Sequence, residues 1–391
     1  MIDFRRIGSL PPYAFAEVNQ RKTAARRAGV DVIDLGFGNP DIPSPDVAVQ
    51  ALIDSARDPA NHRYSASRGI DDLRIALAGR YRRRFGVELD PETEVISTIG
   101  SKEGLSHLMW ALLQPGDAAI VPDPSYPIHI YAPVIAGAEV RTAPISSETD
   151  YFDVVHRMFN DSWPRPRVII VSFPHNPTAH TVDLGFFERL VDLARDNEVV
   201  VVHDFAYADL GFDGYEPPSL LEVPGAKEVA VEIYSLTKGH SMAGWRVGFM
   251  AGNAEVVAAL AKLKSYLDYG TFQPIQIAAA AALDHGDRFV REVNDTYRER
   301  RDILVDGLAD LGWKMDRPRG TMFVWAPIPG PYEDLTSLDF SIRLLETAGV
   351  ALSPGVGFGP SGEGFVRFAL VEEAARIEQA VARIGEALDR L

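Results

Sequence analysis

Short apolar runs alternate with amphipathic stretches through the middle of the chain, a pattern that predicts strands separated by helices. The predicted strands are 95–98, 118–121, 168–172, 199–203, 229–234 and 247–251. The runs 168–172 and 199–202 are almost purely apolar, as required of strands covered on both faces. Between them Phe186, Phe187, Leu190, Val191 and Ala194 share one helical face, giving a β-α-β unit and parallel strands. After residue 272 the pattern changes. A long charged helix at 289–311 leads to short strands near 322–325 and 365–369. A last helix carries Ile377, Val381, Ile384 and Leu388 on one face. The predicted class is α/β, with a mostly parallel, helix-covered sheet in a large domain at 41–285. A smaller α+β domain follows at 286–391, and a Pro- and Gly-rich arm at 1–40 packs against it.

Composition narrows the function classes. A formal net charge of −16 over 391 residues argues against nucleic acid or an anionic membrane as the main partner. It leaves room for a small anionic substrate held by local arginines. The absence of cysteine excludes disulfides, thiolate zinc sites and cysteine nucleophiles. The nine histidines show no metal-ligand spacing, so no metal is expected, and His175 and His180, flanking a turn, read as surface groups. No run of ~18 apolar residues predicts a membrane span. The first residues lack the apolar core of a signal peptide, and the expected location is cytoplasmic.

Candidate chemistry concentrates at the ends of the predicted strands. Lys238 lies in Ser-Leu-Thr-Lys-Gly-His-Ser-Met-Ala-Gly-Trp-Arg-Val-Gly, 235–248. Buried near cations, such an amine loses its proton and becomes a nucleophile toward an aldehyde, whereas in solvent it is an ordinary lysine. Arg246, with the Ser235 and Thr237 hydroxyls, resembles a phosphate cradle. Asp204 ends a strand, where ligands of open α/β sheets bind, although an acid there also suits a helix N-cap. Tyr207 and Asn176 sit near strand ends as donors. Gly100, Ser101 and Lys102 open an apolar helix, either as an anion site or with Ser101 as a simple cap. Tyr126 can stack on a flat ring or pack in its turn. Arg367, inside Phe-Val-Arg-Phe-Ala-Leu at 365–370, needs a partner, either a substrate carboxylate or a structural acid.

Two motif matches fail on context. Gly-Phe-Gly-Pro-Ser-Gly at 357–362 spells a dinucleotide fingerprint but leads into a strand, where that motif needs a helix. Ser235-Leu-Thr-Lys238 spells the S-x-x-K of β-lactamase-like enzymes, without the partner motifs.

These residues, in this order, resemble the class I/II aminotransferases among the fold-type I pyridoxal phosphate enzymes. The chain is particularly similar to bacterial glutamate–pyruvate (alanine) transaminases and to LL-diaminopimelate aminotransferases. Leu-Pro-Pro-Tyr at 10–13, Gly-Asn-Pro-Asp at 38–41, Tyr-Ser-Ala-Ser-Arg-Gly at 64–69 and Ile-Gly-Ser-Lys-Glu-Gly at 99–104 carry the resemblance. Pro-Ser-Tyr-Pro-Ile-His-Ile-Tyr at 124–131, His-Asn-Pro-Thr-Ala at 175–179 and His-Asp-Phe-Ala-Tyr-Ala-Asp at 203–209 continue it.

The resemblance implies that Lys238, Asp204 and Tyr207 are the catalytic set, with Lys238 bonding the aldehyde of pyridoxal 5′-phosphate. Asp204 would pair with the ring nitrogen, Asn176 and Tyr207 would hold the phenolic oxygen, and Tyr126 would stack on the ring. Ser101, Lys102, Ser235 and Arg246 would bind phosphate. Tyr64 matches a phosphate ligand that the family supplies from a neighbouring subunit, implying a homodimer. Arg367, Asn176 and the Gly38 backbone would hold the substrate carboxylate, with Tyr13, Lys102 and Tyr126 lining the substrate space. Many relatives carry Gly where this chain has Ala179.

The implied reaction moves an amino group between an L-amino acid and a 2-oxo acid, with alanine/pyruvate and glutamate/2-oxoglutarate as the first choice of pair. Aspartate enzymes use an Arg from the partner subunit, and the matching stretch here, 266–272, has none. Diaminopimelate, methionine and aromatic aminotransferases are the alternatives, followed by a C–S lyase and then by a cofactor-sensing regulator. The regulator would need a DNA-binding module, and only about 30 residues precede the recognisable body.

Overall fold

The computed structural model describes residues 8, 10–11, 15–145, 150–388 and 390. Strand β1 (Ile33–Asp34) stands apart from the main sheet. That sheet has seven strands: β2 (Val95–Thr98), β3 (Ala118–Asp123), β4 (Glu139–Pro144), β5 (Pro166–Val171), β6 (Val200–Asp204), β7 (Ala230–Ser235) and β8 (Gly248–Gly252). Their order is β2-β8-β7-β6-β5-β3-β4, parallel except for β8, which runs antiparallel to both neighbours. All six predicted strands are present within a residue or two. The seventh, β4, was not predicted, because Glu-Val-Arg-Thr-Ala-Pro at the sheet edge is largely accessible and never reads as an apolar run.

The period-2 alternation of side chains splits the core into two layers. Val168 and Ile170 pack on one side of β5 with Leu105, Leu108 and Met109 of the helix Ser101–Leu112. Ile169 and Val171 pack on the other with Phe187 and Leu190 of the helix Leu184–Asn197. Helices on both faces force the two-sided burial that made β5 and β6 legible.

A second assembly contains β9 (Phe323–Pro327), β10 (Val350–Ala351), β11 (Ser353–Pro354) and β12 (Phe365–Ala369). β11-β12-β9 form an antiparallel sheet, while β10 pairs in parallel with β1. The helices Asp287–Asp310 and Ala374–Leu388 cover it through Leu304, Leu308, Ile377 and Ile384. The amino-terminal stretch is thus stitched to the carboxy-terminal one. Ala369 N–H donates to Leu35 O at 2.6 Å, and Asp31 pairs with Arg376 at 2.7 Å and Arg383 at 2.6 Å.

Candidate active site

The carboxyl ends of β2, β5, β6 and β7 deliver Ser101, Asn176, Asp204 and Lys238 to one cavity of about 210 Å³. Lys238 lies on the one-turn helix Leu236–Gly239, which Ser235 caps by accepting the Thr237 N–H at 3.2 Å. The lysine Nζ donates to Gly38 O at 2.9 Å and stands 5.9 Å from the centre of the Tyr207 ring. Burial first, then the Arg367 charge, pushes its pKa down to about 7, with Arg246 adding to the fall and Asp204 opposing it. At neutral pH a large fraction of this amine carries no proton.

Asp204 closes β6 facing the cavity. Its Oδ2 pairs with His129 Nε2 at 2.8 Å, and His129 Nδ1 meets Ser125 Oγ at 2.9 Å. Its Oδ1 accepts the Ala206 N–H at 3.3 Å, so the acid also serves its own turn. His129 is fully buried within the helix Pro127–Ala136 and was given no role from sequence. A single histidine on an apolar helix carries no spacing signal, and its closeness to Asp204, 75 positions away, emerges only on folding.

Asn176 links two groups. Its Nδ2 donates to Tyr207 Oη at 3.4 Å, and its Oδ1 accepts from Arg367 Nη1 at 2.6 Å. Burial holds the Tyr207 phenol protonated far above the usual tyrosine range. Arg367 Nη2 donates to Gly36 O at 3.1 Å, and its guanidinium lies 3.9 Å from the Phe323 ring centre and 4.6 Å from that of Phe358. The cation is therefore within cation–π distance of two aromatic rings. Phe358 comes from the 357–362 loop, which spells a dinucleotide fingerprint only by letter. Gly38 has a steric reason to be glycine: a Cβ there would lie 2.6 Å from the Phe323 ring.

An anion cradle forms at the head of the helix Ser101–Leu112. Gly100 is its N-cap at φ +79°, and a Cβ on it would run into the Arg246 guanidinium. Ser101 is the first helical residue, which overturns its reading as a simple cap. The Glu103 carboxylate instead takes the Ile99 N–H at 2.8 Å. Lys102 Nζ stands 6.0 Å from the centre of the Tyr126 ring, and both border the cavity. Free N–H groups at a helix start, together with Ser101, Ser235 and Arg246, match the needs of a phosphate.

Two expected residues fall elsewhere. Tyr64 is 86% exposed, lies tilted against Tyr269 with ring centres 4.7 Å apart and does not line the cavity. Tyr13 lies outside the described residues. The reading of His175 as a surface group is overturned. It is fully buried, with Nδ1 meeting Thr178 Oγ1 at 2.8 Å, and it braces the turn that presents Asn176.

Comparison with known proteins agrees with this arrangement. The model of the family "Aminotransferase class I and II" matches residues 30–384. The chain is 52% identical over 381 residues to the glutamate-pyruvate aminotransferase AlaC of Escherichia coli (strain K12), covering 97% of this chain and 92% of that one. It is 44% identical to the LL-diaminopimelate aminotransferase of Desulforudis audaxviator, over 100% and 99% of the two chains. Substrate-bound BacF from Bacillus subtilis superposes with a TM-score of 0.92 at 36% identity, over 99% and 98%. End-to-end matches in sequence and in fold place this chain in the class I and II aminotransferases, and it is an aminotransferase.

Proposed function

We propose that this aminotransferase uses pyridoxal 5′-phosphate and exchanges the amino group between alanine/pyruvate and glutamate/2-oxoglutarate. The residues present fit that cofactor. Ser101 next to the Gly100 turn, where a Cβ would meet the Arg246 guanidinium, Asp204 at the end of β6 and an amine with a pKa of about 7 all border one cavity. Bound there, the cofactor supplies an aldehyde and an electron-drawing ring. Lys238 would hold the aldehyde end of the cofactor until the substrate's amino group displaces it, and the freed amine would then take the proton from the substrate α-carbon. Asp204, steadied by His129, keeps the ring nitrogen protonated, and Asn176 and Tyr207 donate to the phenolic oxygen. Ser101, Lys102, Ser235 and Arg246 hold the phosphate, and Tyr126 covers the ring. Arg367, Asn176 and Gly38 fix the substrate carboxylate and so set the angle of the breaking bond.

We further propose a homodimer in which Tyr64, exposed in one chain, completes the phosphate site of the other. The chain divides into an arm at 1–40, a large domain at 41–285 and a small domain at 286–391.

The observation that carries the reading is the depressed Lys238 amine beside the Arg367 clamp. Incubation with glutamate and pyruvate should yield alanine and 2-oxoglutarate, and Lys238→Ala should abolish it. Faster turnover with LL-diaminopimelate than with alanine would move the substrate assignment to that branch of the family.

A further inference from the structure

Phe15, Val18, Asn19 and Lys22 follow the i, i+3, i+4, i+7 spacing of one helical face, and all four line the cavity that holds Lys238. The helix Ala16–Arg27 is therefore a roof over the site, with Lys22 as the cation on its inner side. The Lys22 side chain is 12% exposed, and its Nζ donates at 2.7 Å to Oδ2 of Asp34, itself 16% exposed and lining the same cavity. Oδ1 of Asp34 accepts the Gly36 N–H at 3.2 Å, and Gly36 O accepts from Arg367 at 3.1 Å. The pair thus stands next to the carboxylate clamp, joined through one residue of backbone. Asp34 also has a second cation in reserve, because Nη2 of the half-exposed Arg26 is 3.6 Å from the same Oδ2.

An enzyme that alternates between a monocarboxylic and a dicarboxylic amino acid has a charge problem. A fixed cation reading the side-chain carboxylate would be left buried and unpaired whenever a methyl group takes its place. A cation with an internal carboxylate to return to avoids that cost. We propose that Lys22 reads the side-chain carboxylate of the dicarboxylic substrate by exchanging Asp34 for it. Asp34 neutralises Lys22 while the small monocarboxylic substrate is bound, and Arg26 remains with Asp34 when Lys22 leaves. This assignment rests on the alanine/glutamate reading of the activity.

The test is calorimetric titration of the holoenzyme with glutarate and with butyrate, which bind without turnover. Lys22→Met should lower the glutarate-to-butyrate affinity ratio by about tenfold or more, and Lys22→Arg should restore most of it. Asp34→Asn, which keeps an oxygen for the Gly36 N–H while freeing Lys22, should raise the ratio. Equal weakening of both acids in Lys22→Met, an unchanged ratio, or collapse of the ratio in Lys102→Met instead would overturn the proposal. Alanine formation by the unaltered enzyme separates the two claims. A Lys22-dependent ratio without transamination of glutamate and pyruvate sinks the activity reading alone. Transamination with a ratio indifferent to Lys22 sinks this assignment alone.

Discussion

At the scale of the residue, the chemistry reduces to an amine that loses its proton near pH 7. Well below that pH Lys238 is an ammonium with no lone pair to offer, and well above it the amine is free. Capture of pyridoxal 5′-phosphate by cofactor-free protein, followed by stopped-flow absorbance, should therefore accelerate with rising pH around a midpoint near 7 and then level off. A midpoint near 10, where an ordinary lysine titrates, would show that burial and Arg367 do not act on it. Gly100 yields a second expectation. Gly100→Ala drives a methyl into the Arg246 guanidinium, so equilibrium dialysis should show cofactor affinity reduced by about tenfold or more, with the fold retained. Ala179 offers the opposite sign. Its φ of +56° is in the left-handed region, where a Cβ costs roughly 1–2 kcal/mol. Ala179→Gly should stabilise the protein by about 0.5–1 kcal/mol once the greater chain entropy of glycine is subtracted, visible as a higher melting temperature.

Among elements, the helix Asp71–Phe85 is tied by buried charge to the strands that carry the candidate site. Arg80 and Tyr234 both bond Asp209, Arg84 approaches it at 3.4 Å, and Tyr234 Oη lies 3.1 Å from His240 Nδ1. Burial alone would raise the Asp209 pKa, but Arg80 and Arg84 outweigh it and hold the acid well below the carboxylate range. Its stabilising effect is thus complete above about pH 4 and lost as pH falls further. Asp209→Ala strands Arg80 in the interior and should cost about 3–5 kcal/mol, measured as a lower urea midpoint. The ion pair was not legible in the sequence, since Arg80 and Asp209 are 129 positions apart and the motif at 203–209 gives Asp209 no partner. Elements buried on both faces, such as β5 and β6, were legible because continuous burial demands continuous apolarity. β4 was not, because an edge strand faces solvent. The site followed the same division. Lys238, Asp204 and Asn176 announced themselves by position at strand ends, whereas His129 and Lys22 act through partners that only the fold supplies.

Across the whole molecule, the exposed aromatics Tyr64 and Tyr269 are the surface that the proposed homodimer would cover. Sedimentation should give about twice the 42.9 kDa of one chain, and Tyr64→Ala should loosen the cofactor without unfolding the subunit. A single species of 42.9 kDa that retains full activity would remove the shared-site proposal.

The pairing of β1 with β10, and of Gly36 with Arg367, has a consequence for biosynthesis. Ser101, Lys238 and Arg246 are all synthesised by residue 246, but β8 (248–252), which joins β2 to β7, comes next, and Arg367 follows more than a hundred residues later. On the proposed assignment, the strands that carry the cofactor residues are synthesised well before the strand that carries the carboxylate clamp, so substrate grip is the last part of the site to be completed.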